Sequence, residues 1–133
     1  MRNDQINIVL DRLHRNFNYA SRVVITKIPR VNTACTIEVA SASGVDEFWF
    51  QLDGSIVFRR NVGGSVVANY VLSEREGHQL GEIISLLEGI YLVEWRPMVG
   101  FLQIFYESSE VCNYTVRGAS IVHAEVVRSG GRG

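Results

Sequence analysis

The chain is poor in cysteine and has almost no net charge, and each shortage excludes a class of protein. The two cysteines, Cys35 and Cys112, are too few and too distant in sequence for a disulfide framework or a metal-ligand cluster. Each alternates with apolar neighbours, as a small core residue does, although a bond between the two stays open at this point. With a formal net charge of −1 over 133 residues, the whole chain is not attracted to nucleic acid or to an anionic membrane.

Long apolar runs and catalytic motifs are also missing. There is no run of about 18 apolar residues for a membrane span, and the N-terminus lacks the charged-then-apolar pattern of a secretory signal. None of the three histidines stands near a serine or cysteine in a triad-like context. No glycine-rich loop follows a strand and opens a helix. We therefore expect a cytoplasmic protein without a membrane segment, cofactor or metal, and an enzyme is the less favoured interpretation.

The composition that is present is typical of one folded domain. Hydrophobic residues make up 47% and charged residues 20% of the chain, a composition too apolar for a disordered protein. A chain of 133 residues is also long enough to bury a hydrophobic core. The sequence predicts a single domain over residues 1–128 and a flexible glycine-rich tail over residues 129–133.

Two helices are predicted. Ser73 and Glu76 form a capping box at the start of the segment 73–89, and the glycine at its end stops the helix. Its apolar stripe, spaced for one helical face, consists of Leu80, Ile83, Ile84 and Leu87. A second helix is predicted over residues 4–17. Gly77 and Gly81 would each cost about 1 kcal/mol in a helix interior, so we expect a close neighbour on that side.

Short strand-like segments fill the rest of the chain. Asp53-Gly54 is the strongest two-residue hairpin signal, and Pro29 breaks the first strand. The predicted strands cover residues 22–28, 33–40, 47–52, 55–60, 65–72, 90–96, 101–106, 111–117 and 120–128. The pattern indicates an α+β fold with two helices on a mostly antiparallel, strongly curved sheet of about eight to nine strands, in the order one helix, five strands, one helix, four strands.

Several strands are apolar on both faces, which is unusual for an antiparallel sheet open to water on one side. By strand alternation, Trp49 is on the face opposite Phe48, and Phe101 and Phe105 are on the face opposite Leu102. Either the sheet curls into a partial barrel or sandwich, or another protein chain covers one face.

We therefore predict a non-enzymatic protein-interaction domain of the adaptor, chaperone or toxin-immunity type, which acts through an exposed sheet face or edge and forms a homodimer. The predicted partner-binding residues are Trp49, Phe101, Phe105, Arg59 and Arg60. Because Arg59 and Arg60 lie beside Phe58, the same cluster could stack nucleic-acid bases, but the acidic balance makes nucleic acid an unlikely partner.

The alternative is an enzyme or small-molecule binder with a pocket inside a curved sheet. His123 and Glu125 stand two apart on one strand face, and Glu94 could join them if the last strands lie side by side. Two ligands alone do not make a metal site, and an exposed polar strand face explains the same residues.

Overall fold

The fold is a layer of two helices on one face of a single antiparallel sheet. A computed structural model describes residues 2–28 and 31–129. In chain order its elements are α1 (Arg2–Phe17), β1 (Arg22–Ile28), β2 (Val31–Ser41), β3 (Gly44–Phe50), β4 (Ile56–Val62), β5 (Ser65–Val71), α2 (Glu74–Ser85), β6 (Ile90–Arg96), a short 3-10 helix (Pro97–Val99), β7 (Phe101–Tyr106), β8 (Val111–Arg117) and β9 (Ser120–Arg128).

The nine strands form one sheet in the spatial order β5-β4-β3-β2-β1-β6-β7-β8-β9, and all neighbours are antiparallel. Each half of the chain is a helix followed by a meander, and the two halves join where β1 pairs with β6 at the centre of the sheet. The prediction of an α+β domain with two helices and an antiparallel sheet is confirmed. The sheet does not close into a barrel, because β5 and β9 lie at opposite edges.

The helices bury the stripes that the sequence indicates. Ser73 and Glu76 form the predicted capping box at the start of α2. Of the predicted stripe, Leu80, Ile83 and Leu87 are buried and Ile84 is half-buried. The helix ends at Ser85, earlier than predicted, and a succession of turns carries the chain to β6. In α1 every residue of the apolar face is buried; these residues are Ile6, Val9, Leu10, Leu13 and Phe17.

The core lies between the helices and one sheet face. Alternate residues of the strands point into it, among them Ile25, Ile37, Trp95 and Ile104, each with no exposed surface. Phe17 of α1 meets Phe48 of β3 with ring centroids 6.0 Å apart. Neither α1 nor α2 lies on the second face of the sheet.

The β3–β4 hairpin differs from its predicted form. The amide of Gln51 donates to Ser55 and the amide of Gly54 to Gln51, so the loop holds three residues instead of two. Gly54 takes a positive φ of 89°, which suits a turn closed by a left-handed residue. As a result Leu52, which was predicted to be the last residue of the strand 47–52, lies in the loop and is 81% exposed.

The glycines of α2 have no close backbone neighbour, contrary to our expectation. A Cβ at Gly77 would lie 3.6 Å from the Ile56 side chain, an ordinary packing distance. A Cβ at Gly81 would meet nothing within 4 Å.

Cys35 and Cys112 lie on β2 and β8, four strands apart. Since each strand step is about 4.8 Å, the distance of roughly 19 Å rules out a disulfide between them. Burial raises the pKa of the Cys35 thiol to about 12. Within residues 2–28 and 31–129, neither helix is long and apolar enough to cross a membrane. The predicted break at Pro29 and residues 130–133 of the predicted tail lie outside the described residues.

Candidate functional site

The sheet face opposite the helices, here called the open face, is covered by neither α1 nor α2. Because side chains alternate along each strand, the registers place two rows of residues across it. The polar row runs from one edge to the other through Asn69, Arg59, Glu47, Glu38, Val24, Glu94, Gln103, Asn113 and Glu125. The apolar row beside it contains Val71, Val57, Trp49, Thr36, Thr26, Leu92, Phe105 and Val111.

Trp49 is the most prominent aromatic residue of the open face. It stands between Val57 and Thr36 in the register and is 41% exposed. Phe105 lies in the same row, half-buried, with its ring 6.0 Å from that of Tyr91. Four strand steps separate Trp49 from Phe105, which is about 19 Å. The predicted aromatic residues therefore share one face but form two patches.

Phe101 lies on the same strand as Phe105 but two rows away. It pairs with Arg96 and Thr115 in the row beyond the polar row and is half-buried. The structure thus places Phe101 and Phe105 on one side of the open face, about 13 Å apart along β7 with Gln103 between them, and Trp49 on the other side.

A charged network occupies the centre of the polar row. Glu94 accepts hydrogen bonds from Arg22 Nε at 3.0 Å and Arg96 Nε at 2.6 Å. Burial opposes ionisation of Glu94, but the two arginines more than offset it and lower the pKa of the carboxyl group. Glu94 is therefore a fixed negative charge between two partly exposed positive ones.

Arg59 and Glu47 form the second polar feature of the open face. They face each other across β3 and β4, but Glu47 accepts a hydrogen bond from Asn61 Nδ2 at 3.0 Å. The Arg59 Nε atom is buried and has no hydrogen-bond partner among the residues that the structure describes. An unsatisfied buried donor is costly, so an acceptor supplied from outside would be favourable here.

Arg60 lies on the opposite face from Arg59. It forms a two-point ion pair with Asp46, with Nε and Nη2 at 2.7 and 2.9 Å from the two carboxylate oxygens, and its guanidinium lies 5.4 Å from the Phe58 ring centroid. Tyr19 Oη is 3.4 Å from Asp46, and burial raises the pKa of Tyr19 first, with the Asp46 charge adding to it. Adjacent arginines on a strand must point to opposite faces, a signal that the sequence already contained.

The residues of the predicted alternative pocket do not converge. Glu94 on β6 and Glu125 on β9 share the polar row but stand three strand steps apart, about 14 Å. His123 lies one row away, opposite Thr115, and both His123 and Glu125 are exposed. Across residues 2–28 and 31–129 there is no group of three His, Cys, Asp or Glu side chains that could hold a metal ion.

Sequence reasoning missed a groove of about 540 Å³ between α2 and the β3–β4 loop. Its lining includes Phe50, Gly81 and Ile84, with Lys27 and Glu88 as its charged groups. Lys27 Nζ donates to the carbonyl oxygen of Leu87 at 2.7 Å, so this lysine also holds the end of α2 to the sheet. The sequence signal for this groove was Gly81, which has no Cβ to fill the space beside α2.

No family model, curated protein or solved structure matches this chain.

Proposed function

We propose that this protein is a non-enzymatic protein-interaction domain, of the adaptor, chaperone or toxin-immunity kind, that binds a protein partner through the open face of its sheet. One observation carries the proposal: both helices pack on the same face, and the other face presents Trp49 at 41% exposure within an apolar row. Large aromatic side chains and arginine dominate the binding energy of protein interfaces.

The open face also offers polar groups that a partner would satisfy. Arg59 has a buried Nε without an acceptor. Glu38 is exposed and forms no ion pair with another described residue. The apolar row, the Arg59 donor and the Glu38 carboxylate together favour a partner surface that combines apolar groups with a hydrogen-bond acceptor and a lysine or arginine, because complementary charge speeds association and selects the partner.

Three finer expectations belong to this proposal. Arg59 is the arginine that would contact the partner, whereas Arg60 supports the sheet from the other side through Asp46. A cytoplasmic location and strong curvature of the sheet stay predictions from the sequence.

The test is affinity capture from the source cells with the purified chain as bait, followed by reconstitution with the captured protein. The double variant Trp49→Ser, Phe105→Ser should bind the partner with a Kd at least about tenfold higher than that of the wild type, since two aromatic contacts are removed. Leu52→Ser is the matched control, because Leu52 is 81% exposed in a loop away from the open face. Binding should also weaken as salt rises.

Equal affinity of the wild type and the double variant for the reconstituted partner would overturn the proposal. Circular dichroism and thermal unfolding of each variant establish that the fold is intact, so that loss of binding is not loss of structure.

A second candidate function, binding of a small molecule, is favoured by the groove beside α2. Phe50 and Ile84 supply apolar walls and Lys27 and Glu88 supply charge, as a site for a small amphipathic ligand requires. Gly81→Leu would fill the groove, so any compound that raises the Tm of the wild type through this groove should not raise that of the variant. The enclosed pocket around Glu94, His123 and Glu125 has less support, since these groups lie apart on an open surface.

A further inference from the structure

The two edge strands of the sheet are protected very differently. Six of the seven residues of β5 and eight of the nine residues of β9 are exposed. β9 carries His123, Glu125 and Arg128 and has two breaks in its register with β8, which are features that prevent other strands from pairing with an edge. β5 has one break in its register with β4, but its sequence Ser-Val-Val-Ala-Asn-Tyr-Val has no charge and no proline.

The backbone of β5 is open for pairing along its outer side. The Leu72 amide donates to the Ile56 carbonyl of β4 at 2.9 Å. Since antiparallel strands alternate in the direction of their polar groups, Tyr70 and Ala68 also bond to β4. Asn69 and Val71 therefore direct their N–H and C=O groups away from the sheet, to the free edge.

We propose that β5 pairs with β5 of a second copy of this chain, antiparallel and across a two-fold axis at Asn69. Two features select this centre. The register with β4 is irregular between Arg60 and Asn61, opposite the start of β5, and Ser73 begins the cap of α2 just beyond its end. Because Arg60 pairs with Ala68 and Asn61 with Val66, Val67 is the unpaired residue of that irregularity, and the regular part of β5 is residues 68–71. Of the two residues in it that face the free edge, Asn69 lies further from the cap of α2 than Val71 does.

The side chains are self-complementary in this register. Asn69 faces Asn69 of the partner subunit, where the two amides can hydrogen-bond. Ala68 faces the partner's Tyr70, so a small residue meets a large one on the helix side of the sheet, where Tyr70 already packs edge-on against Phe58 with centroids 5.1 Å apart. In this register Val71 lies opposite the partner's Val67, which is the unpaired residue of the irregularity in β5, and both valines are more than half exposed in the single chain.

Charge explains why a second copy suits this edge. A two-fold contact brings a strand against itself, so any charge at its centre would meet a like charge. β5 carries none, whereas β9 has Glu125 near its middle. Pairing of β5 with β9 of another copy would leave free edges and extend into a fibre, while pairing of β5 with itself closes after two chains.

The inference deepens the proposed function, because it assigns one edge of the sheet to self-association and leaves the open face accessible to a different partner. The two proposals are separable by experiment. The face variant Trp49→Ser, Phe105→Ser should keep the dimer, and an edge variant should keep the partner.

Sedimentation equilibrium over a wide concentration range tests the inference. The wild type should be a dimer. Asn69→Lys alone and Asn69→Asp alone should each weaken the dimer by about fivefold or more, since like charges then face each other across the axis. An equimolar mixture of the two variants should form a heterodimer of one Asn69→Lys chain and one Asn69→Asp chain. His123→Lys, which adds the same charge to the other edge strand, should leave the dimer unchanged.

A wild type that stays monomeric at all concentrations would overturn the inference, as would variants at Asn69 that dimerise as well as the wild type. Failure of the mixture to recover the dimer would exclude the two-fold at Asn69. Circular dichroism of each variant shows whether it is folded, and because Asn69 is exposed and does not bond to β4, the substitutions leave the internal sheet intact.

Discussion

Asp46 on β3 and Arg60 on β4 lie directly opposite each other and are joined by two hydrogen bonds of 2.7 and 2.9 Å. Asp46 is the only buried charged residue among those whose burial the structure describes. The pair stands on the helix side of the sheet, so it supports the fold.

Removal of Arg60 should therefore destabilise the protein. Arg60→Ala leaves the Asp46 carboxylate buried without its main partner and should lower the free energy of unfolding by about 2 kcal/mol. Arg59→Ala is the control at the neighbouring position on the open face, and it should cost less than about 1 kcal/mol. Urea unfolding measures both; equal losses would contradict the assignment of the two arginines to different faces.

Glu94 should contribute stability that depends on pH. Its pKa is lower in the folded protein than its ordinary value of 4.5, so the contribution is present above that value and is lost as the pH falls through the folded pKa. Glu94→Gln should cost about 1 kcal/mol near pH 7, and the difference from the wild type should shrink below about pH 4.

The measurement for Glu94 is denaturant unfolding of both proteins across this pH range. Glu38→Gln is the control, since Glu38 is exposed on the same face and has no ion pair with a described residue. A Glu94→Gln deficit that stays constant from neutral to acid pH would argue against the ion pairs as its cause.

Gly44 should not tolerate a side chain. It begins β3 with φ of 143°, and a Cβ there would collide with the carbonyl oxygen of Asn61 on β4. Gly44→Ala should cost at least about 2 kcal/mol. Gly118→Ala separates strain from collision, because Gly118 also has a positive φ of 60° but open space around it; its cost should be nearer 1 kcal/mol. Thermal unfolding of the two variants provides the comparison.

A side chain at Gly81 should stabilise the protein, in contrast to one at Gly44. It lies within α2, and a Cβ would meet nothing within 4 Å, so Gly81→Ala should raise the free energy of unfolding by up to about 1 kcal/mol. A destabilised Gly81→Ala protein would mean that the groove is filled by some other part of the molecule.

The two tryptophans should report on different environments. Trp95 has no exposed surface and Trp49 is 41% exposed. The Trp49→Phe protein should therefore emit at short wavelength and resist acrylamide quenching, whereas Trp95→Phe should emit at longer wavelength and be quenched readily. Trp95→Phe should also cost about 2 kcal/mol through the space it leaves in the core. Similar quenching of the two variants would contradict their placement.

Local signals in the sequence predicted the elements well. The capping box at Ser73 depends on residues three apart, and the strands from β6 to β9 have the predicted bounds because turn residues separate them. The two helices and the antiparallel sheet follow from these short-range patterns.

The site was harder to predict because it depends on which strands are neighbours. The Asp46 and Arg60 pair requires the register of β3 with β4, which the three-residue loop at Gly54 sets. The separation of Glu94 from His123 depends on two strands between β6 and β9. Such long-range relations are not encoded in the periodicity of any one segment.

The pairing of β1 with β6 has a consequence for synthesis of the chain. β1 is made early, and the strand that covers its second side is made only after β2 to β5 and α2 have followed. During translation the future centre of the sheet is therefore an open strand edge until β6 is made. A nascent chain stopped before β6 would be the form most prone to misassembly, and the arrival of residues 90–96 is the step that ends this exposure.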